Sequence, residues 1–377
     1  MGTALLFEAY PHVYGGAQQV TRTLARHLPR VGWEPVVVVT GEGPVTDLLR
    51  AGGLPVEVVA VPPALARGRL RGRHAVRAVL ALPRYWGRLR RVLGGASVVY
   101  TATLRGVLLA GPAARLAGVP LVWHAQGFEA GGAATLAARL LARRVLAVSS
   151  AVAATVGGGG RPVEVVPPPW EPPAPASPPH PPAEERSSAG PVIVTVARLH
   201  PDKGIDVLVD AVARLRASWP GATVRVLGAV QAGHERYAER VRRQVVDLGM
   251  EGVVELCGFV AEPTAAVTRA DVYVQPSRRE SVGLATMEAM AAGRPVVASR
   301  VDGLADLVDD GRTGLLVPPG DPGALAAALD RVIGDPALAR SLGAAAAGAR
   351  HHAPEVVVDR LAGVFADLAP PRPSPLS

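Results

Sequence analysis

Short runs of β-branched and apolar residues recur along the chain, each followed by a longer segment with the spacing of an amphipathic helix. "ALLFEAY" precedes the helical "AQQVTRTLARHLPR" and then "PVVVVT"; further on come "ASVVYTA", "VPLVWHA", "RVLAVSS" and "VEVVP". Short strands separated by helical segments call for a parallel sheet, because parallel neighbours can be joined only through a crossover. Near residue 167 the pattern stops at "PPPWEPPAPASPPHPPAEERSSAG", a proline-rich stretch too poor in apolar groups to pack a core. It then restarts with "PVIVTVARL", the helix "GIDVLVDAVARLRASW", "TVRVLGA", a helix through "YAERVRRQVVDLG", "VVELCGF", "DVYVQP", "RPVVAS" and "GLLVPP". A length of 377 residues also favours two domains. The chain therefore reads as two Rossmann-like α/β domains, residues 1–170 and 191–352, joined by a linker at 171–190. Open parallel sheets bind ligands beyond the carboxyl ends of their strands. Two of them joined in this way are expected to face a central cleft, and the loops that follow strands are where chemistry belongs.

Charge is unevenly spread. The net charge is +8, but residues 1–165 hold 19 arginines against 7 acids, leaving the remainder acidic. Such asymmetry points to a partner of negative charge for the first domain. Nine arginines fall in residues 64–93, interleaved with Leu, Val, Tyr85 and Trp86. Two readings are open there: a segment lying on an anionic membrane surface, or a solvated helix face. No nucleic-acid recognition motif accompanies the charge, so a nucleic-acid partner is not expected. The one cysteine, Cys257, rules out an internal disulfide framework and, in "VVELCGFV", reads as a small buried hydrophobe. The N-terminal "MGTALLFEAYPH" carries no basic n-region, and no uninterrupted apolar run reaches the roughly 20 residues of a membrane span. The expectation is a cytoplasmic protein, peripheral on the inner face of the membrane if the basic stretch binds lipid. The tail from residue 371 to 377 is expected to be frayed.

Three strand-to-helix loops carry candidate chemistry. Gly15 and Gly16 precede the first helix, where glycine lets a ligand approach the backbone and a helix N-terminus attracts a phosphate; a tight turn explains them equally well. In "VARLHPDKGIDVL", Arg198 and Lys203 flank a turn before a helix. A guanidinium and an ammonium on one loop make a pyrophosphate clamp, the first by paired bonds and the second as a point charge. Of 40 basic residues Lys203 is the sole lysine, which favours the clamp over two solvated charges. In "ESVGLATMEAMAAGRPVVAS", a helix is predicted from about Gly283 to Ala292, ended by Gly293. Glu280 then lies in the preceding loop and Glu288 in the early turns. The amides of Gly283, Leu284 and Ala285 are left unpaired. Carboxylates on either side of open amides suit hydroxyls and a phosphate of one ligand, since a carboxylate accepts two parallel bonds from a diol. A dipole-stabilising acid beside an unrelated loop acid is the other reading.

Arg198 and Lys203 after a strand, Glu280 and Glu288 at E-x7-E spacing, then "AAGRPVVAS" and "DGRTGLLVPPGDPGAL" together resemble the retaining family 4 glycosyltransferases of GT-B fold. The resemblance covers most of residues 191–335. It is looser in 1–165, where it rests on "GGAQQVTRTLARHL" and "VWHAQGF". It implies a nucleotide-sugar donor, hexosyl transfer with retention at the anomeric carbon, and no metal or cofactor. By the same resemblance Arg198 and Lys203 hold the donor diphosphate, Glu280 binds the sugar hydroxyls, and the amides of Gly283 and Leu284 approach phosphate or sugar. Glu288 takes the ribose diol, Gly16 closes onto the diphosphate, and His124 faces the donor sugar. "HHAPEVVVDRLAGVFADL" resembles the closing helix that returns to the first domain, over residues 353–370. The departures are Ser281-Val282-Gly283-Leu284-Ala285 after the first glutamate, Asp302-Gly303-Leu304-Ala305-Asp306 after the next strand, Pro168-Pro169 near the linker, and "GAVQAG" at 228–233. They bear on sugar and base preference and leave the clamp in place. Alternatives are a glycoside phosphorylase on the same scaffold, in which a ribose-binding Glu288 has no task, and a non-catalytic sugar-nucleotide binder. A dehydrogenase is disfavoured by the missing G-x-G-x-x-G fingerprint. The acceptor is either lipid-linked or a soluble small molecule.

Overall fold

The structure, a computed structural model, describes residues 2–12, 16–62, 73–157, 162–171, 190–260, 262–349 and 353–369, the side chains of 73–79 excepted. The chain divides into two compact units, Met1–Glu171 with His351–Ser377, and Pro172–Arg350. The linker (172–189) and the tail (370–377) lie outside the described residues.

Unit 1 is built on a seven-stranded parallel sheet in the order β3-β2-β1-β4-β5-β6-β7. Its strands are β1 (Gly2–Glu8), β2 (Trp33–Val39), β3 (Val56–Val58), β4 (Val98–Thr101), β5 (Leu121–Ala125), β6 (Arg144–Ala147) and β7 (Glu164–Val165). Between them run α1 (Gly16–His27), α2 (Pro44–Ala51), α3 (Arg73–Leu93), α4 (Leu104–Ala117), α5 (Gly132–Leu141) and α6 (Ser150–Val156). Thr103 and Ser149 cap α4 and α6 by accepting from the amides of Gly106 and Val152, which satisfies donors that a helix start leaves open. The helix Pro354–Leu368 packs against α1 and inserts Phe365, fully buried, edge-on to Trp33 and Tyr100 with ring centroids 5.5 and 6.1 Å away. Its apolar stripe Val357, Val358, Leu361 and Phe365 belongs to the core of unit 1.

In the described part of α3, Leu80 is exposed but most of the larger apolar side chains turn inward. Tyr85, Leu89 and Leu93 are buried, while Arg84, Arg88, Arg90 and Arg91 face water. Residues 64–72 of the basic stretch lie outside the described residues. No described helix is long and apolar enough to cross a membrane.

Unit 2 carries a six-stranded parallel sheet in the order β10-β9-β8-β11-β12-β13. Its strands are β8 (Val192–Val196), β9 (Thr223–Leu227), β10 (Val254–Gly258), β11 (Val272–Gln275), β12 (Val296–Ser299) and β13 (Leu315–Val317). The crossovers are α7 (Ile205–Leu215), α8 (Glu235–Asp247), α9 (Thr264–Thr268), α10 (Leu284–Ala291) and α11 (Asp302–Leu307), followed by α12 (Pro322–Gly334) and α13 (Pro336–Ala347). Its core packs Ile193, Val226, Leu208, Val212 and Leu329 between sheet and helices. Cys257 is not the buried hydrophobe its surroundings suggested. It lies in edge strand β10, where the register shifts between Leu256 and Gly258, and its thiol is half-exposed.

His124 also departs from expectation. On β5 it is fully buried, with Nδ1 2.9 Å from the hydroxyl of Tyr100 and Nε2 2.7 Å from the carbonyl of Val166. A carbonyl can only accept, so Nε2 carries the proton and Nδ1 accepts from Tyr100. Both ring nitrogens are spent on tying β5 to β4 and to the residue after β7, and no edge of the ring is free to face a sugar. Burial pushes the imidazole down from 6.5 to about 4. The folded chain therefore refuses a proton that the unfolded chain accepts. This contribution is present above about 6.5 and lost as pH falls toward about 4. Its full size is about 3 kcal/mol for a shift of that width. His124→Gln is expected to flatten the fall in melting temperature between about pH 7 and about pH 5, whatever it does to stability at neutral pH. An unchanged slope would place the acid sensitivity elsewhere.

Candidate active site

The strand order of unit 2 reverses between β8 and β11, which are paired neighbours. The loops leaving their carboxyl ends therefore lie side by side. The β8–α7 loop contains a short turn, Pro201–Lys203, opened by His200, whose Nδ1 accepts from the amide of Asp202 at 3.0 Å. The β11–α10 loop contains Glu280. Lys203 Nζ lies 2.5 Å from Glu280 Oε2, and the two side chains are only 18% and 13% exposed. A rail of alternate residues leads up to the pair. The Tyr273 hydroxyl donates to Gln275 (2.7 Å), Gln275 Nε2 to Ser277 Oγ (2.8 Å), and Ser277 Oγ to Glu280 (3.5 Å). Strand geometry explains it, since residues two apart share a face.

Several contacts hold the two loops in this register. The amides of Arg278 and Arg279 donate to the carbonyl of Asp202 at 2.7 and 3.2 Å. The Arg278 guanidinium grips both oxygens of Asp206 at 2.8 and 2.6 Å and also reaches the carbonyl of Pro201. Asp206 accepts from the Tyr237 hydroxyl of α8 as well, at 2.8 Å. Burial works to raise the Asp206 carboxyl, but Arg278 and Tyr237 outweigh it and hold it below the usual carboxylate range. Gly204, with φ +64°, lets the turn pass so close to β11 that a Cβ there would stand 2.0 Å from the carbonyl of Pro276. From the other side, Asp302 Oδ2 accepts from the amide of Glu280 at 3.1 Å, and the amide of Gly303 donates to the Glu280 carbonyl at 2.9 Å. Asp302 does this with φ +41°, the one positive φ outside glycine among the described residues. That strained backbone is offset by the bonds it makes.

Other groups on this edge have no internal task. The Arg198 guanidinium is exposed and has no hydrogen-bond or ion-pair partner among the described residues. Glu288, the fifth residue of α10, is half-buried without a partner there, and burial raises its pKa. Helix α10 starts at Gly283 (φ +89°) with no side-chain cap and no acid in its first turn, so the amides at Leu284 and Ala285 remain open donors. A Cβ at Gly283 would lie 2.6 Å from Leu304, which fixes a glycine there. Gly283, Leu284, Glu288, Arg198, Lys203 and Glu280 thus all belong to the carboxyl edge of one sheet. Gly16 heads α1 in unit 1, and Gly15 lies outside the described residues.

Two family profiles match consecutive parts of the chain. One, described as Glycosyltransferase Family 4, matches residues 14–172, and another, described as Glycosyl transferases group 1, matches 190–335. This chain belongs to glycosyltransferase family 4. Among relatives of this family 4 member, the D-inositol 3-phosphate glycosyltransferase of Jonesia denitrificans is 39% identical over 178 residues, 46% of this chain and 41% of that protein. The GDP-mannose-dependent alpha-(1-6)-phosphatidylinositol monomannoside mannosyltransferase of Mycolicibacterium smegmatis is 36% identical over 164 residues, 41% of this chain and 42% of that protein. The matched stretch thus spans about two fifths of the length of those relatives. Anabaena HepE, solved in complex with UDP-glucose, superposes with a TM-score of 0.79 at 22% identity, covering 97% of this chain and 100% of that one. The family 4 member has the GT-B fold.

Sequence reading named the ion pair's two members but not the apparatus around it. Asp206, Tyr237, Arg278 and Asp302 position the family 4 loops without touching any open group. "VARLHPDKGIDVL" and "DVYVQP" were legible as a strand-end loop and a strand. Their mutual contact was not. The close approach at Gly204 gives a test. Gly204→Ala and Gly311→Ala both force a left-handed residue, but nothing lies within 4 Å of a Cβ at 311. Gly311→Ala should cost about 1 kcal/mol. Gly204→Ala should cost about 3 kcal/mol or more, because the Pro276 carbonyl must move. Urea unfolding measures both, and equal losses would mean that the Gly204–Pro276 contact carries no constraint.

Proposed function

We propose that the chain is a retaining glycosyltransferase that moves a sugar, in keeping with a hexose, from a nucleotide-sugar donor to an acceptor hydroxyl. The observation that carries this reading is the Lys203–Glu280 pair beside the open N-terminus of α10, with Arg198 and Glu288, which have no partner among the described residues, on the same sheet edge. On this reading the donor diphosphate meets Arg198, Lys203 and the amides at Gly283 and Leu284, and these groups absorb the charge that develops on the leaving group. No metal or cofactor is needed for that task. A diphosphate arriving at Lys203 competes for its ammonium and releases the Glu280 carboxylate to accept hydroxyls of the donor sugar. The leaving phosphate then takes the acceptor proton as the new glycosidic bond forms on the face it leaves. Glu288, a carboxylate with no partner among the described residues, suits the vicinal diol of a ribose. That favours a nucleotide donor over the inorganic phosphate a phosphorylase would use.

The acceptor is proposed to be lipid-linked or a soluble polyol. The names of the relatives run from inositol phosphate to a phosphatidylinositol mannoside. An anionic membrane surface is within reach of the arginines of residues 64–93 through charge. The described apolar side chains of α3, apart from exposed Leu80, are largely used by the fold.

Lys203→Ala should lower kcat/KM by about two orders of magnitude or more, roughly 3 kcal/mol at the transition state, in a steady-state assay with a nucleotide sugar. Lys203→Arg should restore only part, because a planar fork does not fit where a compact ammonium sits against Glu280. Near-normal turnover of the alanine variant would remove Lys203 from the reaction.

The two glutamates should fail differently. Glu288→Ala should weaken the free nucleoside diphosphate together with the nucleotide sugar, because the ribose is common to both. Glu280→Ala should keep or strengthen nucleoside diphosphate binding, because Lys203 loses the carboxylate that competes for it, and should lower turnover of the intact donor. Each effect should exceed roughly tenfold, given the worth of a hydrogen bond to a charged group. Titration calorimetry with the nucleoside diphosphate beside donor kinetics separates them, and equal losses of nucleoside diphosphate affinity in both variants would refute the division.

A further inference from the structure

Helix α5 is built inside out. Its inward positions are Thr135, Ala138 and Arg139, and Arg139 is the helix's only charged residue. The Arg139 side chain is 7% exposed and its guanidinium donates to the carbonyl of Val156. Leu136 and Leu140, at i and i+4, instead stand 57% and 63% exposed, with Ala133 and Ala134 exposed in the turn before them. An amphipathic helix that faced only water would be arranged the other way round. Turning a guanidinium inward and leaving two leucines out is unfavourable on both counts.

The apolar surface continues onto α4, which packs beside α5. The approach is close: a Cβ at Gly111 of α4 would lie 2.9 Å from the Leu141 Cβ. At the end of α4, Arg115 reaches the carbonyl of Leu140 at 3.5 Å, and its neighbour Leu116 is 61% exposed. Exposed arginines stand around this surface, Arg115 at the end of α4 and Arg143 and Arg144 just after α5. Residues 58–163 contain fifteen arginines and a single acid, Glu129, which is half-buried.

We infer that the outer face of α5, extended by Leu116, docks on an anionic lipid surface. Leu116, Leu136 and Leu140 enter the boundary between headgroups and acyl chains, and Arg115, Arg143 and Arg144 meet the lipid phosphates. Burial of apolar area and attraction to anionic lipid are the two components such binding needs. α5 supplies an apolar component where the described part of α3 leaves only Leu80 well exposed among its large apolar side chains. Charge argues against a second copy as the occupant, because two arginine-rimmed faces would repel, whereas a lipid surface offers a phosphate to every arginine. The inference does not depend on sugar transfer and is tested without it.

The test is co-sedimentation of the full chain with vesicles of phosphatidylcholine alone and of phosphatidylcholine mixed with phosphatidylglycerol, at low and high salt. The wild type should pellet with the mixed vesicles at low salt and in part be released at high salt. Leu136→Gln/Leu140→Gln should reduce binding roughly tenfold or more. Because both side chains are exposed, the melting temperature should stay within a few degrees. Leu140→Trp provides a signal that does not rest on loss: added to the five native tryptophans, it should shift emission to the blue with mixed vesicles and be quenched by brominated lipid. Equal binding by the double variant, no quenching at position 140, or indifference to phosphatidylglycerol would each overturn the inference. So would a wild type that sediments as a dimer and becomes monomeric in the double variant, which would make the face an interface between copies.

Discussion

The reversal of strand order between β8 and β11 is the constraint on which the candidate site of unit 2 depends. To one side of that point the crossovers run toward β9 and β10, and to the other toward β12 and β13. The two loops at the reversal diverge to opposite faces of the sheet while starting from hydrogen-bonded strands. That leaves room at the carboxyl edge for side chains from both to meet. Lys203 and Glu280, 77 positions apart, come within 2.5 Å for this reason. Unit 1 reverses in the same way between β1 and β4, and Gly16 heads the helix that follows β1.

Side-by-side loops would be free to slide were they not locked. Gly204 sets how closely the turn passes Pro276, Arg278 ties the loop of β11 to the first residues of α7, and Asp302 holds the Glu280 backbone from the loop after β12. Each belongs to a different crossover, so a displacement of one loop is resisted by its neighbours on both sides. Asp206 is the hub. It joins Arg278 to Tyr237, and Gln244 of α8 reaches the carbonyl of Asp206 and the carboxylate of Asp210. None of these groups faces the open amides of α10. They fix where the ion pair stands and leave its chemistry to the pair itself.

Much of the fold was legible because period is a local property. Twelve of the strands followed from runs such as "PVVVVT" and "DVYVQP"; β3, only Val56–Val58 at one sheet edge, was not read, although β7, Glu164–Val165 at the other edge and shorter still, was. The helix at Leu284 was legible from its flanking glycines. What the sequence could not show was side-chain direction at positions where local pattern and tertiary contact disagree. His124 looks like a strand-end ligand until Tyr100 and Val166 occupy both its nitrogens. Arg139, the one charge of α5, is turned inward to the carbonyl of Val156, a contact that no local pattern announces. Cys257 sits in an apolar run, yet a register shift in an edge strand turns it outward. Arg278 and Asp206 are ordinary charges in the text, and only the strand order makes them partners.

The Lys203–Glu280 pair is costly where it stands. With side chains 18% and 13% exposed, both ions lose much of their hydration, and a nearly buried pair of this kind commonly gives no more stability than a well-packed apolar pair would. Among the described residues Glu280 is the carboxylate that pairs with Lys203, while Arg198 and the open amides of α10 stand on the same sheet edge without an anion of their own. On the proposed reading the site is poised toward anions, with Glu280 as a placeholder. A diphosphate brings more negative charge than one carboxylate and satisfies the ammonium, the guanidinium and the helix terminus together. The displaced Glu280 remains anchored through its backbone to Asp302 and Gly303, so its carboxylate stays within reach of whatever the diphosphate carries. On the proposed reading, one internal ion pair holds the clamp and the sugar-binding acid in register when the site is empty and separates them into two roles when it is filled.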